Sequence, residues 1–92
     1  MIVRIAGEGQ YELPDDCAAR LNDLDNQAVL AVDAGDETLF LELWQQMLAL
    51  VTRDGRELAD DELVESDVLL PPRDSTFAEA KADFSGDGLI PD

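Results

Sequence analysis

The chain has 92 residues, with 22 Asp and Glu against 6 Lys and Arg, for a formal net charge of −16. That balance excludes direct binding to nucleic acid or to an anionic membrane surface, since both repel so negative a chain. The length suits one domain with a core of its own. The acidity suits a basic protein partner, cations or a salty cytoplasm, and composition alone does not separate these.

Residues 1–13 read as a β-hairpin. Ile2, Val3 and Ile5 are β-branched, Gly7-Glu8-Gly9 supplies turn residues, and Gln10 to Leu13 form the return strand. The Gly7-x-Gly9 spacing resembles a phosphate-cradling loop, but it lacks the third glycine and the following Lys. Glu8 would also repel phosphate, so a turn is the better reading. Two strands alone are marginal, so the hairpin is expected to lie on the helices.

Residues 14–34 form the first expected helix. Pro14 suits its opening turn, Asp15 and Asp16 suit its positive end, and Cys17, Leu21, Leu24, Ala28, Ala31 and Val32 share one face. Cys17 on that face reads as a small buried hydrophobe, and a lone cysteine fits a reducing compartment. Ala34-Gly35-Asp36 is short enough to make the first two helices an antiparallel αα-hairpin.

Residues 36–54 form the central helix. Asp36 caps it, Arg53 sits in its last turn, and Gly55 is expected to turn left-handed just beyond. Phe40, Leu43, Trp44, Met47, Leu50 and Val51 recur at three- and four-residue steps. Leu39, Leu41 and Leu48 widen the arc to roughly half the circumference. So wide an arc calls for neighbours on two sides, or for one edge that docks another chain; Leu41, Trp44 and Leu48 are the candidate anchors on that edge.

Residues 55–74 read as an acidic connector. Glu57, Asp60, Asp61, Glu62, Glu65 and Asp67 make a solvated face that can steer toward basic residues. Val68-Leu69-Leu70, stopped by Pro71-Pro72, can add a third strand. Ser75 is expected to cap a third helix over residues 75–85, with Phe77, Ala80 and Phe84 inward, followed by a tail over residues 86–92.

Site chemistry is sparse. The chain has no His, so Ser-His-acid and Cys-His arrangements are impossible, and no enzyme or cofactor is expected. Asp83, Ser85, Asp87, Gly88 and Ile90 match positions 1, 3, 5, 6 and 8 of a calcium-binding EF-hand loop. Pro91 and the missing Glu at the twelfth position leave Asp83, Ser85 and Asp87 as weak ligands, and no metal is expected. The opening MIVRIAGEGQ has no long apolar signal region, and no stretch approaches the roughly 20 apolar residues of a membrane span. A cytoplasmic protein is expected, reaching a membrane only through a partner.

MIVRIAGEGQYEL, DELVESDVLLPPRDSTFAEAK and GDGLIPD, in this order and spacing, resemble the phage-shock protein A-associated family. The matching positions are Gly7, Gly9, Gln10, Tyr11, Leu63, Ser66, Asp67, Leu69, Pro71, Pro72, Leu89, Ile90 and Pro91. The chain departs from the family at EAKADFSGDG, where a longer Leu-containing helix is usual. The resemblance implies a small, mostly helical domain without catalytic residues. It also implies an accessory role beside phage-shock protein A, a coiled-coil membrane-remodelling protein of the ESCRT-III-like class, in envelope stress. The expected fold is α+β, mostly α: three helices with an N-terminal β-hairpin. A homodimerising module or a weak cation binder are the rival functions.

Overall fold

The computed structural model describes residues 1–59 and 64–84. Strands β1 (Ile2–Ile5) and β2 (Gly9–Glu12) form the expected hairpin, pairing Val3 with Tyr11 and Ile5 with Gly9. The turn needs its glycines, because Gly7 has φ 81° and Gly9 φ 139°, conformations that side chains with a Cβ resist. Helix α1 (Asp15–Ala34) starts after Pro14, with Asp15 and Asp16 in its first turn. It ends at Gly35, whose φ of 72° lets the Gly35 and Asp36 amides donate to the Val32 and Ala31 carbonyls. These bonds satisfy acceptors that the helix end would leave bare.

Helix α2 (Glu37–Asp54) returns antiparallel, with the Asp36 carboxylate accepting from the Leu39 amide at 3.1 Å. Gly55 departs from expectation: it is extended, with φ −82° and ψ 152°, rather than left-handed. Its glycine is required by space. A Cβ there would lie 2.5 Å from the Val51 carbonyl oxygen, 3.1 Å from Tyr11 Cβ and 3.2 Å from Leu13 Cδ2.

The connector also departs from a plain loop. Arg56–Glu57 form β3, antiparallel to β2, and the Leu58 amide donates to the Gln10 carbonyl at 2.9 Å. Val68–Leu70 form β4, parallel to β1, which gives a four-stranded sheet in the order β3-β2-β1-β4. Parallel pairing of β1 with β4 requires a long crossover, and the αα-hairpin lies within it.

Alternation sets the two faces of the sheet. Val3, Ile5, Val68 and Leu70 are buried on the helix side, and Arg4 and Leu69 point outward. The inner residues share one core with Leu21, Ala28, Phe40, Leu43, Met47 and Val51. Helix α3 (Phe77–Phe84) packs on α1 through the buried Ala80, and Phe77 meets Phe40 edge to face at 5.4 Å. Its cap is Thr76 rather than Ser75. Thr76 Oγ1 accepts from the Glu79 amide, and the Glu79 carboxylate accepts from the Thr76 amide at 3.2 Å, a reciprocal capping box. Ser75 instead closes the preceding turn, its amide donating to the Pro72 carbonyl.

Candidate functional site

The central helix uses its wide apolar arc inside the chain. Trp44 is 1% exposed and Leu48 0%, and both belong to the core that includes Val3, Ile5, Val68 and Leu70. Neither can anchor a partner on the folded surface. The arc is wide because α1, the sheet and Phe77 of α3 all cover it. Of the three expected anchors, only Leu41 reaches the surface.

The acidic candidates divide. Glu57 on β3 and Glu65 are exposed. Asp67 is exposed too, but it holds two strands together. Its carboxylate accepts from the Ile2 amide at 2.8 Å, and its own amide donates to the Ile2 carbonyl at 2.8 Å, locking β1 beside β4. Asp60, Asp61, Glu62 and Leu63 lie outside the described residues, as do Ser85, Asp87, Leu89, Ile90 and Pro91; Asp83 falls in the last turn of α3. Among the described residues no three thiol or carboxylate side chains converge on a point where a cation could sit.

Several positions of the family-like pattern build the sheet and its cover. Gln10 points to the outer face yet is only 8% exposed, because its Nε2 donates to the Val64 carbonyl at 3.0 Å and to Ser66 Oγ at 2.7 Å. Residues 64–66 are thereby strapped across the outer face. Tyr11 is half-buried against Gly55, and Pro71 is buried. Burial first, then the negative Glu57 and Glu8, pushes the Tyr11 phenol above its ordinary value. Arg73 grips Glu8 through two 3.1 Å bonds and ties the loop before α3 to the hairpin turn. Gly7, Ser66, Asp67, Leu69 and Pro72 are exposed, and of these Leu69 is the large apolar one.

Among the described residues, the most exposed leucines of the two long helices lie where the sequence points less clearly. Leu30 on α1 is 68% exposed and Leu39 on α2 is 42% exposed. They line a groove of about 250 Å³ with Gln27, Ala31, Ala34 and Asp36, at the tip of the αα-hairpin. Farther along the same helix pair, Leu24, Gln46, Ala49 and Leu50 line a second groove of about 300 Å³, flanked by Asp23, Arg20 and Arg53. Both arginines reach Asp54, at 3.1 Å from Arg20 and 3.0 Å from Arg53. The hydrogen bond from Arg53, with both positive charges adding to it, holds the Asp54 carboxyl below its ordinary value. Leu39 is legible in the sequence as the edge of the arc. Leu30 stands off the buried stripe of α1, and only an apolar residue on a polar face could flag it.

A family model for the PspA-associated proteins matches residues 1–92, the full length given. The chain belongs to the PspAA family. No curated protein and no solved structure matches it. No helix among the described residues is long and apolar enough to cross a membrane. PspAA membership bears out the resemblance carried by the opening, middle and closing segments.

Proposed function

We propose that this chain is a non-catalytic accessory protein of the cytoplasm that binds phage-shock protein A, the ESCRT-III-like coiled coil, and regulates its part in the envelope stress response. The observation that carries this reading is the full-length match to the PspA-associated family. Three features agree with it. The chain has no His to serve as a general base, and Cys17 is buried. Leu30, Leu39 and Leu41 are exposed on the two long helices, where they can meet apolar positions of a coiled coil. The charge of −16 favours a partner with a basic surface and speeds encounter with it.

In this reading Leu41 keeps its part as an anchor, while Trp44 and Leu48 do not. Glu57, Glu65 and Asp67 add to the negative field, as do Asp60, Asp61 and Glu62 by their charge alone. Steering of this kind weakens as salt rises, because the screening length falls to roughly 3 Å at 1 M. The test is co-purification of the full chain with tagged cognate phage-shock protein A over a range of salt. Retention at low salt that fades at high salt supports the whole reading. Retention independent of salt removes the steering, and no retention at any salt removes the function.

A further inference from the structure

The open side of the α1–α2 seam has a defined length, floor and charge. We infer that it is the seat of one amphipathic helix whose apolar stripe is flanked by Lys and Arg, supplied by the coiled-coil partner proposed above; the inference rests on that reading. The two grooves follow one another along the same antiparallel helix pair, the first from Arg20 to Leu24 against Arg53 to Gln46, the second from Gln27 to Ala34 against Leu39. From Arg20 to Ala34 the seam runs roughly 20 Å at 1.5 Å per residue, or about four turns of an occupying helix.

The floor is apolar where an occupant would press on it. Leu24 and Leu50 sit in one section, and Leu30 and Leu39 in the other. Ala31 and Ala49 keep the floor low between them, so a third helix can approach to the usual 8–10 Å between axes. The occupant would then complete a three-helix arrangement whose other side is already closed by the sheet.

Charge selects the occupant. No Lys or Arg occurs between Arg20 and Arg53, whereas Asp23, Asp33, Asp36, Glu37 and Glu42 all fall in that stretch. Asp36 lines the groove with Leu30 and Leu39, Asp23 lines the other, and Asp33 and Glu37 are exposed at the same hairpin tip. At the opposite end Arg20 and Arg53 share the single carboxylate of Asp54, so the negative charge of the seam is concentrated toward the hairpin tip. A helix with basic residues beside its stripe complements this rim. A second copy of this chain does not. It brings the same acidic tip and a further −16, so the net field opposes pairing of two copies.

The test measures affinity of the full chain for immobilised cognate phage-shock protein A, with a Leu30→Glu/Leu39→Glu variant, an Asp33→Lys/Glu37→Lys variant and a Leu69→Glu control on the outer sheet face. Circular dichroism first establishes that each is folded, and light scattering gives the mass of each alone. The expected result is a loss of about tenfold or more for the leucine pair, a smaller loss for the charge pair that vanishes at high salt, and affinity near wild type for Leu69→Glu. Wild-type affinity in both seam variants overturns the seam as the seat and leaves the partner reading standing. Absence of binding by the wild type overturns both. A dimeric wild type that the leucine pair renders monomeric also overturns the inference, because a second copy then covers the seam.

Discussion

Replacing Trp44 by Ala tests whether the central helix is core or docking surface. Trp44 and Leu48 are fully buried among residues from β1, β4 and both long helices. Truncating a buried Trp costs about 3–5 kcal/mol and a buried Leu about 2–5 kcal/mol. A domain of this length has about 5–14 kcal/mol of stability at 0.05–0.15 kcal/mol per residue. Trp44→Ala alone therefore removes a large part of the total, and Trp44→Ala with Leu48→Ala is expected to leave little folded protein at 37 °C. Trp44 is the single tryptophan, so unfolding is followed in urea by circular dichroism at 222 nm rather than by fluorescence. A wild-type urea midpoint in Trp44→Ala would refute the place of Trp44 in the core. Loss of partner binding by a variant that remains fully folded would refute it more pointedly.

The two glycines flanking α2 should respond for different reasons. Gly55→Ala keeps an allowed backbone but drives a Cβ into the Val51 carbonyl at 2.5 Å, costing about 1–3 kcal/mol, or about 4–8 °C in melting temperature per kcal/mol. Gly35→Ala meets nothing within 4 Å but must hold φ near 72°, a conformational cost of about 1–2 kcal/mol; a Gly55→Ala protein melting no lower than wild type would contradict the packing at that joint. Gln10→Ala removes two hydrogen bonds at 3.0 and 2.7 Å, for about 1–3 kcal/mol, and hydrogen exchange should quicken at residues 64–66 if the strap is real. Tyr11, the only tyrosine, should titrate by ultraviolet absorbance above the ordinary 10.0. Because its folded value is raised, the stability linked to it is present below pH 10 and is lost as pH climbs through the folded value; a midpoint at or below 10 would contradict the burial of its ring.

Much of the fold is legible from residue spacing. The stripes of α1 and α2, the Gly7–Gly9 turn and the Val68-Leu69-Leu70 strand are local patterns, and local patterns survive without knowledge of the partner element. Arg56-Glu57 is not of this kind. Neither residue favours a strand, and β3 exists because the end of α2 delivers them beside Tyr11 and Glu12. Gly55 likewise reads as a left-handed stop until the approach of Tyr11 and Leu13 is known. Thr76 is readable, since Thr76-x-x-Glu79 carries the capping-box spacing, but the adjacent Ser75 offers a competing hydroxyl.

The candidate surface is less legible, for a general reason. Periodicity reports how much of a helix is apolar, not whether its neighbours belong to the same chain. The half-circumference arc of α2 is a true sign of neighbours on more than one side. Those neighbours are α1, the sheet and Phe77, so Trp44 and Leu48 fall inside and the exposed leucines lie at the hairpin tip. Leu30 breaks the pattern of its own helix, and its 68% exposure becomes meaningful only beside Leu39, which faces it across the seam.

The most direct test of partner binding is a calorimetric titration of the full wild-type chain into its cognate phage-shock protein A at low and at high salt. Docking through the exposed leucines predicts saturable binding with a negative heat-capacity change and weaker affinity at high salt. No heat and no complex at either salt, from protein shown to be folded, would contradict it.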